Sequence, residues 1–116
     1  MAQLPNYLRS HRKRAALSQD EAAFLLGSHG GAKVCRYERF VSEPSLSTAL
    51  AFEAMYQKPV RELFAGLYQR IERNVSARAK TLIYQTDRGK PGRRTARKRQ
   101  ALASIISSET NIPNQP

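Results

Sequence analysis

The chain reads as all-α, and three observations predict it. Apolar residues recur at three- and four-residue steps, most clearly at Val60, Leu63, Phe64, Leu67, Ile71, Val75, Ala79 and Leu82. Serines stand at helix-start positions, Ser18 and Ser45, just ahead of such steps. No stretch alternates apolar and polar residues as a half-buried strand does. With 116 residues, 41% of them hydrophobic, one domain around a small core is expected.

Pro5 suits the first turn of a helix. Tyr7, Leu8, His11 and Arg12 follow at helical spacing, so a first helix is expected over residues 5–15, with Ala15-Ala16-Leu17 leading out. Ser18-Gln19-Asp20-Glu21 forms a capping box. The Ser18 hydroxyl accepts from the Glu21 backbone N–H, and the Glu21 carboxylate accepts from that of Ser18. Acids in this first turn also suit the helix dipole. The second helix then runs to about Leu26, and Gly27 is its left-handed stop.

Ser28-His29-Gly30-Gly31 is a turn. A third helix spans Ala32 to Arg39, with Val34 and Tyr37 on one face and Lys33 and Arg36 on another. Ser42-Glu43-Pro44 interrupts the chain. Ser45 caps a fourth helix whose expected apolar stripe is Leu46, Ala49, Leu50 and Met55. Lys58-Pro59 opens a fifth helix, read as one continuous element to about Tyr84.

From Asp87 the composition changes. Gly89, Pro91 and Gly92 break regular structure, and seven cations crowd together: Arg88, Lys90, Arg93, Arg94, Arg97, Lys98 and Arg99. Such a segment is expected to be a disordered linker unless a polyanion neutralises it. Residues 101–106 are expected to form a short helix, and residues 111–116 to fray. The domain reading is therefore a helical domain over 5–66, an extension of the fifth helix over 67–86, and a basic tail over 87–116.

The net charge of +11 favours a polyanionic partner. One cysteine, Cys35, permits no internal disulfide. Cys35, His11 and His29 lack a metal-ligand spacing, so no metal or other cofactor is expected. A reducing cytoplasm fits. The N-terminus lacks the apolar core of a signal peptide, and the longest apolar run, Ala22 to Leu26, is too short to span a bilayer, so no membrane partner is expected. The chain shows no acid–base pair, nucleophile motif or phosphate-cradling glycine loop, so an enzyme is not expected.

An ordered set of residues carries a resemblance. It comprises Leu8 and Arg12, Leu17-Ser18-Gln19-x-Glu21-x-Ala23, Leu26-Gly27, Val34-x-x-Tyr37-Glu38, Pro44-Ser45-Leu46 and Leu63-Phe64. In this set, over roughly residues 6–64, the chain resembles the Cro/repressor-type (Xre-like) helix-turn-helix DNA-binding family. The resemblance implies a five-helix repressor-like domain whose third helix reads the major groove. It implies base contacts from Gly31, Ala32, Lys33 and Arg36, a phosphate contact from Gln19, and a buried Arg12–Glu38 ion pair. Two departures stand out: Phe40 occupies a position where the family commonly has glycine, and the connector through Gly30-Gly31 is one residue longer.

Arg36 is suited to bidentate pairing with guanine, and Lys33 to a simpler contact. Ala32 suits a thymine methyl group. Arg39 and Arg9 are expected on phosphates, and the basic tail along phosphates or in a minor groove. Phe24 and Leu25 are expected under the fifth helix or a partner chain. With Asn74 and Arg78 near the seam of that helix, a homodimer is expected. The function expected is that of a sequence-specific transcriptional regulator of double-stranded DNA in a bacterial cytoplasm, at the nucleoid. Two alternatives stand: a DNA-binding antitoxin that masks a toxin with its tail, and a basic RNA-binding protein.

Overall fold

The computed structural model describes residues 4–109. Residues 111–116, expected to fray, lie outside the described part. Among the described residues seven helices follow one another: α1 (Leu8–Arg14), α2 (Gln19–Leu25), α3 (Ala32–Glu38), α4 (Leu46–Tyr56), α5 (Val60–Leu63), α6 (Ala65–Asp87) and α7 (Arg93–Ser107). No strand occurs among the described residues. The chain forms two compact units, one ending at Tyr68 and the other beginning at Gln69.

In the first unit, α1 begins at Leu8, three residues later than expected. Asn6 explains the delay: its Oδ1 accepts from the Leu8 N–H in a local turn that precedes the N-cap Tyr7, so Asn6 lies ahead of the helix. The Ser18 capping box forms as read, with Glu21 N–H donating to Ser18 Oγ and Ser18 N–H to Glu21 Oε1. The Ser45 side chain likewise accepts from Thr48 N–H at the start of α4.

Helices α1, α2 and α3 end the same way. The residue after each C-cap is left-handed: Ala16 at φ 60°, Gly27 at 79° and Phe40 at 58°. Each donates to a carbonyl three residues back: Ala16 to Lys13, Gly27 to Phe24, Phe40 to Tyr37. The next residue donates five back, Leu17 to Arg12, Ser28 to Ala23 and Val41 to Arg36. These are three Schellman closures, of which only the middle one has the glycine that relieves the Cβ clash.

The core of this unit is aromatic. Phe52 is fully buried, with Tyr37 edge-on at 5.9 Å, Tyr56 stacked at 6.0 Å and Phe64 at 6.4 Å between ring centroids. Leu8, Ala49 and Leu63 complete the cluster, and Ala22, Ala23 and Val34 form a smaller one between α2 and α3. Burying a side chain of this size contributes roughly 1.5–3 kcal/mol. The inner face of α4 is thus Ala49, Phe52 and Tyr56. The expected stripe is corrected in part: Ala49 and Met55 are shielded, but Leu46 and Leu50 lie on another face of α4 than Phe52 and Tyr56 and are exposed.

The expected single fifth helix is two. Phe64 takes φ −117° and ψ 47°, outside the helical region, and divides α5 from α6. Long-range backbone bonds hold the break. Tyr7 N–H donates to the Leu63 carbonyl at 2.7 Å, and Gly66 N–H donates to the Leu4 carbonyl at 2.8 Å. The N-terminal segment takes up groups that a continuous helix would have bonded within itself.

In the second unit, the shielded positions of α6 recur with a coiled-coil-like period: Gln69, Glu72, Ser76, Ala79, Ile83 and Thr86 are buried or half-buried. Ile71, Val75 and Leu82 lie beside them and remain exposed. The basic segment corrects the linker reading. Residues 93–99 are the first two turns of α7, and the helix expected over 101–106 is its continuation. Thr95 Oγ1 donates to the Lys90 carbonyl, and Arg99 Nε lies 2.7 Å from Asp87 Oδ1.

Candidate nucleic-acid interface

Helix α3 is held from behind and open in front. Val34 is fully buried and Tyr37 nearly so. Ala32, Lys33, Arg36 and Arg39 are exposed. At about 100° per residue, Ala32, Arg36 and Arg39 fall within about 60° of one another, opposite Val34 and Tyr37. Lys33 flanks this stripe on one side and the half-buried free thiol of Cys35 on the other. The outward face therefore centres on two guanidinium groups a turn apart, with the ammonium group at its edge.

Three contacts fix the helix. The first is the Arg12–Glu38 pair between α1 and α3. Arg12 Nε donates to Glu38 Oε2 at 2.6 Å and Nη2 to Oε1 at 3.1 Å, a bidentate match. Only 10% and 2% of the two side chains is exposed. Arg12 Nη1 also donates to the Leu17 carbonyl, tying the pair to the α1–α2 corner. The Glu38 hydrogen bond raises the Arg12 pKa further, against the opposing effect of burial. The guanidinium stays charged at every pH the fold meets.

The second contact is Asp20, which reaches from α2 to accept the Gly31 N–H at 2.7 Å. It satisfies a donor at the start of α3, where the N-cap residue itself has no side chain to do so. Gly31 sits against α2. A Cβ there would lie 2.7 Å from Gln19 Cβ, 2.9 Å from Asp20 Oδ1 and 3.0 Å from the Gln19 carbonyl carbon. The absent side chain is what lets α3 approach α2.

The third contact is Asn6, buried beside the other end of α3. Its Nδ2 donates to the Tyr37 carbonyl at 3.0 Å. The reading of the sequence missed Asn6 and Asp20. Asn6 precedes Tyr7-Leu8 as the first residue of an Asx turn would, which is a usable signal. Its long-range bond to Tyr37 has none.

Of the residues expected on phosphates, Gln19 is half-buried at the first position of α2, and its Nε2 donates to Glu38 Oε1 at 3.2 Å. Arg9 and Arg39 are exposed and line one groove of about 350 Å³, together with Leu4, Pro5, Asn6, Ser10, Lys13, Glu38 and Phe40. Lys13 brings this groove a third cation without an ion pair among the described residues, one that the sequence did not single out. The one acid among these residues, Glu38, is already taken up by Arg12 and Gln19, so the groove is electropositive.

Behind α3, His11 stacks on Tyr56 with centroids 6.2 Å apart. Burial lowers the His11 pKa, and Arg14 and then Lys58 lower it further, against Glu62. Burial also pushes Tyr56 up to about 12, assisted by the nearby Glu38 charge and opposed by Arg12. Tyr56 is thus neutral at physiological pH.

The seven cations of the basic segment lie in the second unit. Arg88 sits over the Tyr84 ring at 5.6 Å, Lys90 is in the connector, and Arg93, Arg94, Arg97, Lys98 and Arg99 are on α7. Among the described residues no group of three or more His, Cys, Asp or Glu side chains is placed to hold a metal ion. Among the described residues no helix is long and apolar enough to cross a membrane. Compared with protein-family models, curated proteins and solved structures, the chain matches none of them.

Proposed function

We propose that the chain is a sequence-specific DNA-binding regulator of the helix-turn-helix type, with α2 and α3 as the paired helices and α3 entering the major groove. The observation that carries this reading is the exposed stripe of Ala32, Arg36 and Arg39, with Lys33 at its edge, on a short helix anchored at both ends. Arg36 lies at the centre of that stripe and suits guanine O6 and N7, a contact worth roughly 1–3 kcal/mol of discrimination. Arg39, Arg9 and Lys13 suit the flanking phosphates. Gln19 suits a phosphate through the amide hydrogen that Glu38 does not take. The exposed Phe24 and Leu25 and the apolar edge of α6 support a homodimer, which would read two half-sites about one helical turn apart.

Selection of bound duplexes from a random pool tests the reading. A palindromic motif, lost in Lys33→Ala/Arg36→Ala with the fold intact, is the expected result. Absence of enrichment at moderate salt would overturn it and favour an antitoxin or RNA-binding role.

A further inference from the structure

Helix α7 is built with its charges in an unfavourable place. Arg93 and Arg94 occupy its first turn, with no acid there and no side-chain cap from Gly92. Cations at a helix N-terminus oppose the macrodipole. Arg93–Arg97 and Arg94–Lys98 are like-charge pairs four residues apart, which repel on one face. Of the 20 Lys and Arg residues in the chain, 11 lie beyond Tyr68, with only 3 of the 9 acids.

The helix keeps most of these charges away from its packed side. Thr95, Leu102 and Ile106 are buried or half-buried and fall within about 40° of one another at helical pitch, with the half-buried Ile105 about 60° to one side of Leu102. Arg99 flanks them and pairs with Asp87. Arg93, Arg94 and Arg97 occupy a different arc, Lys98 lies at its border with the packed side, and the four together line an open groove of about 610 Å³. None of these four forms an ion pair among the described residues.

We infer that this four-cation groove is a binding site for a phosphodiester backbone, and that its occupant stabilises the first two turns of α7. A linear polyanion neutralises all four charges at once and removes the repulsion that opposes the helix. A membrane surface fits less well, because Leu102 is buried and Ile105 and Ile106 are half-buried, so no exposed large apolar side chain borders the basic arc to insert. Duplex DNA is the polyanion assigned, and that choice rests on the reading of α3. The groove grips without choosing sequence, whereas α3 chooses.

The test uses the full chain and a quadruple variant, R93Q/R94Q/R97Q/K98Q. Glutamine keeps a helix propensity close to that of the residues replaced, so the helix survives. Binding to a random-sequence duplex is measured against salt, and helicity by circular dichroism with and without the duplex. The expected result is a helicity gain on DNA in the parent that the variant lacks, and a log K–log[salt] slope shallower by about three to four in the variant. A slope changed by less than one, or no helicity gain in the parent, overturns the proposal. Tighter binding to folded RNA or to anionic phospholipid vesicles at matched salt overturns the assignment to DNA. Should Lys33→Ala/Arg36→Ala leave target choice untouched while the quadruple variant still lowers the slope, the α3 reading fails and the α7 site stands.

Discussion

Arg12 and Glu38 form a bidentate ion pair, 2.6 Å at its shorter contact, between the first and third helices and almost wholly out of water. Removing one partner strands the other charge. Arg12→Ala is expected to cost about 3–5 kcal/mol in urea unfolding, because Glu38 then lies buried with only Gln19 to hold it. Replacing both, as Arg12→Met with Glu38→Leu, is expected to recover most of that loss. A double variant as unstable as the single one would show that the pair itself, and not the stranded charge, carries the energy.

The three Schellman closures give a graded prediction. A left-handed non-glycine residue costs about 1–2 kcal/mol, and glycine returns part of the gain through the entropy of the unfolded chain. Ala16 is exposed and its side chain makes no hydrogen bond, so Ala16→Gly is expected to stabilise by about 0.5–1 kcal/mol. Phe40→Gly relieves the same strain but loses a half-buried ring, so its melting temperature should fall below that of Ala16→Gly. Gly27→Ala introduces strain at φ 79° and should destabilise.

Gly31→Ala probes the approach of α3 to α2. Its new Cβ meets Gln19 Cβ at 2.7 Å and the Gln19 carbonyl carbon at 3.0 Å, both attached directly to the α2 backbone, so the helices must part. Overpacking of this kind costs roughly 1–3 kcal/mol. The expected signature is a lowered urea midpoint together with weaker specific binding, while binding to random duplex at low salt is retained. Equal loss of both would place the defect in general affinity.

The local signals were the legible part of this fold. Ser18 with Glu21, Ser45 and Gly27 each act within a few residues, and each sits in the structure as its neighbours predict. The division at Phe64 was not legible, because the bonds that hold it come from Tyr7 and Leu4, nearly sixty residues away. The turns at Ala16 and Phe40 carry no glycine to announce them. Helix α7 was masked by its own composition: Gly89, Pro91, Gly92 and the cations argue for disorder, and what opposes this is packing at Leu102 and the Asp87–Arg99 pair, neither visible as a local pattern. At the candidate interface, the exposed face of α3 followed from helical spacing, whereas the anchors Asn6 and Asp20 act across the fold.

His11 gives a pH dependence of definite sign. Its folded pKa is lowered by burial, then by Arg14 and Lys58, against Glu62, so the unfolded chain takes up the proton first. Stability then rises with pH across this window. The contribution is complete above the unfolded value of about 6.5 and is lost as pH falls through the lower folded value. Urea midpoints measured between about pH 7.5 and 5 should therefore decline, and His11→Gln should flatten that decline. An unaltered slope in the variant would assign the acid sensitivity elsewhere.

Asn6 tests how far the outer face of α3 depends on its C-terminal anchor. Its side chain accepts from Leu8 N–H at 3.1 Å and donates to the Tyr37 carbonyl at 3.0 Å, both buried. Asn6→Ala leaves both backbone groups unpaired and should cost about 1–3 kcal/mol per unsatisfied group. Asn6→Asp keeps the acceptor for Leu8 but sets a carboxylate oxygen against the Tyr37 carbonyl, which repels it. The aspartate is therefore expected to free the end of α3 specifically. Amide exchange should accelerate at Phe40 and Val41, whose N–H groups close that helix, while the α1 amides stay protected. Faster exchange along α1 instead would make Asn6 a support for the start of the first helix and nothing more.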